Sequence, residues 1–278
     1  MFPNLEIWLN HFEYHAGQAR AATETASSPL SSKERRLIAR SLATFQLGER
    51  SDGGGLLAAA RRFAAERDAG PLPRIVELLI LEQQRHASLL LEFMREHAIA
   101  PARRHWTDTL FRRLRRLGGF ELYLHALIAA ELIGHVYYRA LEEATSCRRL
   151  KLLCRTLRAD ELAHVGLESE LILALRSRRS EVSQAVTRLA HRGFFISAAL
   201  AVWLTHRALL RQSGFSATGF LRACRSQYAF HLDPPSPGSS RGAESREPAA
   251  SRPARAPRAC AAPIAALSRR RASSPARS

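Results

Sequence analysis

The stretch ADELAHVGLE, residues 159–168, places a carboxylate and an imidazole on the apolar side of a helical pattern. Glu161 and His164 are three residues apart, so they lie on the same face of a helix. The other positions on that face are mostly apolar: Leu150, Cys154, Leu157, Val165, Glu168 and Ile172. An apolar face is the one that a helix buries. The fold must therefore pair the buried carboxylate or supply a cation to it.

Other segments with helical periodicity repeat this feature on their own apolar faces. The polar residues are Glu49, Gln83, His86 and Glu131, and their apolar neighbours are Ile38, Leu42, Phe45, Val76, Leu79, Leu90, Leu124, Leu127, Ile128, Tyr138 and Leu141. Near Glu131 the sequence offers no basic partner except His135, one helical turn away. We interpret Tyr138, His135 and His125 as core or hydrogen-bonding residues.

These residues follow a twofold order along the chain: Glu49, Gln83-x-x-His86, Glu131, Glu161-x-x-His164. Glu49 precedes Gln83 by 34 residues, and Glu131 precedes Glu161 by 30. Two helices with a lone Glu and two with Glu-x-x-His form the ligand arrangement of di-iron and di-manganese four-helix bundles. Carboxylates and imidazoles suit iron or manganese. The same pattern is also compatible with a buried Glu161–His164 ion pair without metal, a packed or surface His86 and an exposed Glu49.

The segments FQLGERSDGG, LEQQRHASLL and AAELIGHVYYRALEEATS, followed by LCRTLRADELAHV, resemble ferritin-like domain proteins of the di-iron carboxylate class, chiefly bacterial members. The resemblance covers about residues 30–230 and is most specific from Glu131 to His164. It implies a ferritin-like antiparallel four-helix bundle with two iron ions, or manganese. It also implies metal ligands at Glu49, His86, Glu131, Glu161 and His164.

Gln83 departs from the pattern, because the resemblance predicts Glu at this position. A glutamine offers a neutral carbonyl oxygen, so three carboxylates would leave one positive charge of two divalent ions uncompensated. Glu82 and Asp52 are near enough in sequence to substitute. Gln83 is equally compatible with a weakened site, with a single bound metal ion and with a bundle that binds no metal.

The sequence predicts an all-α chain with three parts. Residues 1–30 form an N-terminal arm with a helix at about 4–15, and residues 31–232 form the bundle. The predicted bundle helices begin at Ser32, a good N-cap, and then span about 73–96, 119–144, 148–176, 180–211 and 216–229. A crossover of about twenty residues follows the second helix, and the glycines at 53–55 interrupt the first. Residues 233–278 are rich in Arg, Pro, Ala and Ser without periodicity, which predicts a disordered tail.

The formal charge of +17 comes almost entirely from arginine, since only two of the 42 basic residues are lysines. We interpret this as compositional enrichment rather than a nucleic-acid surface, although charge alone is compatible with either. The acidic N-terminus predicts no signal peptide. The apolar run 193–205 is too short to span a bilayer and predicts a buried helix. With four separated cysteines, the sequence favours a cytoplasmic protein that does not bind membranes, and a homodimer is compatible with it.

Two functional classes follow. In the first, a di-iron or di-manganese site activates dioxygen and oxidises a small substrate, as an oxidase or oxygenase does. In the second, the site is degraded at Gln83, and the bundle is a non-catalytic scaffold that binds a partner or nucleic acid.

Overall fold

The computed structural model describes residues 4–17, 29–50, 53–103 and 119–233. Within these ranges the chain is all-helical and contains no strand. The helices are α1 (Leu5–Gly17), α2 (Ser32–Glu49), α3 (Gly54–Arg67), α4 (Leu72–Glu96), α5 (Phe120–Glu143), α6 (Arg148–Ser177), α7 (Glu181–Gln212) and α8 (Ala217–Leu232). The predicted all-α class is confirmed. The predicted tail beyond Asp233, and residues 104–118 of the crossover, lie outside the described residues.

The glycine-rich segment after α2 ends that helix, as its sequence predicts. Gly53 has a positive φ of 67°, a conformation that glycine adopts without steric cost. A Cβ atom at this position would lie 2.6 Å from side-chain atoms of Ile80 on α4. The break therefore lets the chain pass close to α4, and it leaves Glu49 as the last residue of α2.

The N-cap of α2 is Ser31 rather than the predicted Ser32. Ser31 and Glu34 form a capping box, in which the Ser31 side chain accepts from the Glu34 backbone N–H and Glu34 accepts from the Ser31 backbone N–H. Ser31 is favoured as the N-cap because Glu34 then lies three positions after it, as a capping box requires. The same Glu34 carboxylate accepts hydrogen bonds from the backbone N–H and the hydroxyl of Ser146. Glu34 thus joins the start of α2 to the α5–α6 connection.

Helices α5 and α6 form the most extensive helix–helix contact of the described fold. Only four residues, 144–147, connect them, so the two helices run antiparallel. α4 packs against α1, α2, α3 and α6, while α7 and α8 cover α5. The largest side chains of this core are fully buried: Phe93, Tyr137, Tyr138, Phe195 and Phe220.

Helix α7 is buried on one side only, so the prediction of a buried helix at 193–205 is wrong for half of its surface. Phe195 and Trp203 point into the core, whereas Ile196, Leu200 and Leu204 are exposed. A continuous apolar run has no polar face, so its periodicity cannot show that only one side packs. By length and composition α7 is the one helix in the described ranges that could cross a bilayer, and 39% of its most apolar window is buried in the fold.

Substituting Glu34 with Gln should destabilise the chain by about 1 kcal/mol at neutral pH, because the capping box loses its charge. Hydrogen bonds from Ser146, together with those from Ser31, lower the pKa of Glu34 from 4.5 to about 2. This stabilisation is complete above pH 4.5 and is lost as the pH falls towards 2. The difference in free energy of unfolding between parent and variant should therefore shrink over that range, as measured by denaturant titration. The exposed control Glu66→Gln should change little, and a pH-independent difference would contradict the assignment.

Candidate metal centre

His164 of α6 lies between two carboxylates in the bundle interior. Its Nδ1 is 3.4 Å from Glu131 Oε1, and its Nε2 is 3.0 Å from Glu82 Oε2. Burial by itself would lower the pKa of His164, but the two carboxylates outweigh burial and raise the pKa to about 10. Without a metal ion, His164 is therefore the cation that joins α4, α5 and α6.

Gln83 occupies the position that the sequence predicts, beside Glu131 and His164. Its Nε2 donates to Glu131 Oε1 at 3.1 Å and lies 3.4 Å from His164 Nδ1. The amide therefore supplies a donor where the twofold pattern predicts a carboxylate. Glu82 meets the other nitrogen of His164, so the predicted substitute for the missing carboxylate does lie at the cluster. Asp52, the second suggested substitute, lies outside the described residues.

His86 lies on the same side of α4, one turn beyond Glu82. Its Nε2 is 3.3 Å from Asp160 Oδ2. Arg85 Nη2 donates to the same Asp160 oxygen at 2.6 Å and to Glu82 Oε1 at 3.2 Å. Burial opposes ionisation of Asp160, but hydrogen bonds from His86 and Arg85 prevail and lower its pKa to about 2. Glu82, His86 and Asp160 offer three ligand atoms within 4.8 Å of one another.

Glu49 reaches this cluster from the end of α2. Its Oε1 accepts a hydrogen bond of 2.9 Å from the hydroxyl of Tyr138, which is fully buried. Burial raises the pKa of Glu49, while the imidazole of His86 and the Tyr138 hydrogen bond oppose that rise. Tyr138 therefore holds a predicted ligand in place, which agrees with its prediction as a hydrogen-bonding residue.

Two further buried carboxylates on α6, Glu161 and Glu168, have no cation in the described part of the chain that compensates for their burial. Burial, followed by the charges of Glu49 and Glu131, raises the pKa of Glu161 well above its usual value. Burial and the adjacent Glu131 carboxylate raise the pKa of Glu168 in the same direction. Burial therefore favours the protonated form of both groups when no metal is bound.

Several oxygen and nitrogen atoms of the cluster that could bind a metal ion are buried without a hydrogen-bond partner among the described residues. They are Glu131 Oε2, Glu161 Oε2, both carboxylate oxygens of Glu168, and His86 Nδ1. Buried polar atoms are nearly always satisfied in native proteins. Oxygen and imidazole nitrogen atoms without partners are the donors that a divalent transition-metal ion uses. The residues present therefore fit a bound metal ion, and the donor types do not select one metal.

Helix α1 packs on α4 and covers the His164 side of the cluster. Phe12 stacks on the His164 ring, with their centroids 5.7 Å apart. Trp8 donates to Glu170 at 2.9 Å and packs so closely that a Cβ on Gly166 would lie 2.8 Å from its ring. Gly166 is thus the position that lets α1 approach. The cover leaves Glu82 and Arg85 partly exposed, which makes them the solvent-facing side of the cluster.

All six predicted site residues fall within this region, and Asp160, Glu168 and Arg85 were not predicted as members. Signals for two of them exist in the sequence. Asp160 precedes His164 by four residues, and Glu168 follows Glu161 by seven, so each lies on a helix face with a predicted ligand. Two residues predicted as core or hydrogen-bonding groups lie apart: His135 meets Arg158 at 3.3 Å, and His125 packs on His191.

No protein-family model, curated protein or solved structure matches the chain. The geometry of the cluster is therefore the basis on which a function can be assigned.

Glu168→Gln should stabilise the metal-free chain at pH 8 by about 1–3 kcal/mol, because burial and the adjacent Glu131 oppose ionisation of Glu168 in the folded chain, whereas the unfolded chain ionises it freely. The folded-state pKa of Glu168 is raised, so the folded chain binds a proton that the unfolded chain releases above about pH 4.5. Parent stability should fall as the pH rises from 4.5, and the variant should fall less. Denaturant titrations in chelator at pH 5 and pH 8 test this, with Glu66→Gln as the control. Equal pH slopes for parent and variant would show that Glu168 is already compensated.

Proposed function

We propose that this chain is a ferritin-like metalloprotein whose bundle core binds up to two iron ions, or manganese, and uses them to oxidise a small substrate with dioxygen. The observation that carries the proposal is the group of partnerless oxygens on Glu131, Glu161 and Glu168. Carboxylates buried in this way are very unfavourable when ionised without a cation. A divalent ion would satisfy these oxygens and would favour the ionised form of the carboxylates.

The proposed ligands come from four helices: Glu49 from α2, Gln83 and His86 from α4, Glu131 from α5, and Glu161 and His164 from α6. Glu82, Asp160 and Glu168 supplement this set. Glu82 lies beside the other nitrogen of His164, whereas position 83 itself contributes a neutral amide where the predicted ligand set has a carboxylate. On metal binding His164 must lose its extra proton, since only a neutral imidazole nitrogen binds a metal ion.

Other residues of the chain have supporting roles in this proposal. The Tyr138 hydroxyl orients Glu49, and second-sphere hydrogen bonds of this kind fix a ligand and tune its basicity. Phe12 and α1 exclude water from the His164 side. The partly exposed Glu82 and Arg85 face solvent, where a small substrate would approach. When bound, ferrous ions would supply electrons to dioxygen, which is chemistry that these side chains lack.

A non-catalytic bundle is the second candidate, and the Gln83 contacts favour it. Gln83 donates to Glu131, and protonated His164 joins Glu131 to Glu82, so part of the negative charge is compensated without metal. A bundle that binds no metal would stabilise its core through these hydrogen bonds and ion pairs. The two candidates differ in whether a metal ion binds tightly.

Purified protein loaded anaerobically with ferrous iron, then desalted, should retain up to two ions per chain by elemental analysis. Glu131→Gln and Glu161→Gln keep the side-chain shape but remove a charged ligand, so each should reduce retained iron by at least half. The matched control is Glu121→Gln, which removes a carboxylate paired with Arg179 on the same helix as Glu131. A parent protein that retains neither iron after loading with iron nor manganese after loading with manganese would refute the proposal.

Gln83→Glu should bind metal more tightly than the parent, by tenfold or more, while its metal-free form loses stability. The new carboxylate would lie where the Gln83 amide now donates, 3.1 Å from Glu131 Oε1, so the two charges repel when no cation is present. Competition titration gives the affinity, and thermal melting in chelator gives the metal-free stability. Glu82→Gln is the informative companion, because it should weaken binding if Glu82 has replaced the missing carboxylate. Unchanged affinity in Gln83→Glu would exclude a charge deficit at this position.

A further inference from the structure

The exposed side of α7 carries an unbroken stripe of aliphatic residues. They share one helix face and are between 43% and 75% exposed: Val182, Val186, Leu189, Ile196, Leu200 and Leu204. At roughly 100 Å² for each side chain, the stripe presents about 600 Å² of apolar surface, which is the upper end for a monomer. An exposed patch of this size on a 32-residue helix indicates a binding surface.

The outer residues of the stripe are placed symmetrically about Gly193, and the innermost pair differs by one position. The stripe residues lie 11, 7 and 4 positions before Gly193 and 3, 7 and 11 positions after it. Two antiparallel copies of α7 that cross at Gly193 would therefore oppose Val182 to Leu204 and Val186 to Leu200. A twofold interface requires this kind of self-complementary surface.

Packing among the described residues does not require a glycine at position 193. Gly193 lies in the middle of a helix, where glycine costs about 1 kcal/mol relative to alanine. A Cβ at this position would meet no atom within 4 Å in the described part of the chain. A second helix crossing here would use the missing side chain, because glycine lets two helix backbones approach closely.

The charges beside the stripe are compatible with the same arrangement. Arg192, next to the crossing point, would meet its own copy across the twofold axis. Its charge is compensated by Asp233, whose carboxylate lies 2.7 Å from its guanidinium. At each end of the stripe, exposed Glu181 of one copy would lie near exposed Arg207 of the other copy. The two side chains carry opposite charges.

We propose that α7 is the interface of an antiparallel homodimer with its twofold axis at Gly193. Two copies of the stripe bury about 1,200 Å², the lower bound for a stable interface, and the small residues Ala185, Ala190 and Ser197 extend it. The interface lies on the side of α7 that faces away from the core, so it is independent of metal binding.

The test is the oligomeric state of the full chain by sedimentation equilibrium in chelator. The parent should have twice the chain mass at micromolar concentration, and Leu189→Lys should have the mass of a monomer. Leu162→Lys places the same charge at an exposed leucine of α6 and should remain dimeric. A monomeric parent, or a dimeric Leu189→Lys, would overturn the proposal. A monomeric parent that floats with anionic lipid vesicles would assign the stripe to a membrane surface instead.

Cross-linking tests the antiparallel arrangement independently of those variants. In a Cys260→Ser background, Val182→Cys and Leu204→Cys chains should each give little dimer with a short bismaleimide when treated alone. After the two are mixed and allowed to exchange, about half of the dimers should cross-link, because position 182 of one copy opposes position 204 of the other. Cross-linking of either chain by itself would indicate parallel helices and contradict the proposed axis.

Discussion

The burial of more carboxylates than nearby cations can neutralise is the constraint on which this structure depends. Protonated His164 and Arg85 compensate Glu82, Glu131 and Asp160 in the described fold. For Glu161 and Glu168, burial instead favours the protonated form and raises both pKa values. Because ionising a buried group costs several kcal/mol, protonation of these carboxyl groups lowers the charge of the metal-free core. A divalent cation is the alternative means of neutralisation.

The aromatic packing between α2 and α5 explains how this core is held in position. Phe45 stacks on Tyr137 with ring centroids 3.4 Å apart, and Ser41 links the Tyr137 hydroxyl to His206 of α7. These contacts lie one and two turns before Glu49 on α2, and they fix where the helix ends. The glycine break that follows prevents α2 from continuing past the cluster. Aromatic packing therefore sets the position of Glu49, whereas burial and the neighbouring groups determine its protonation.

Much of this fold could be predicted from the sequence, because the helices have strong 3.6-residue periodicity and their ends carry capping or glycine signals. The polar residues on apolar faces led to the cluster for the same reason. Arg85 could not be found in this way, and neither could its ion pair with Asp160, since that pair depends on a contact between α4 and α6 that no local pattern contains. Likewise, the apolar composition of α7 cannot distinguish the side that packs on α5 from the side that stays exposed.

A second buried polar cluster shows that buried histidines in this bundle need not indicate a ligand site. His191 Nε2 lies 3.1 Å from the carbonyl oxygen of His125, and Arg176 donates to the carbonyl oxygen of Leu232 at 3.2 Å. Burial, followed by the charges of His125 and Arg176, lowers the pKa of His191 to about 3, so this imidazole is neutral. His164 shifts in the opposite direction because its neighbours are carboxylates rather than carbonyls. The first cluster therefore attracts a cation, whereas the second holds α8 against α6 and α7.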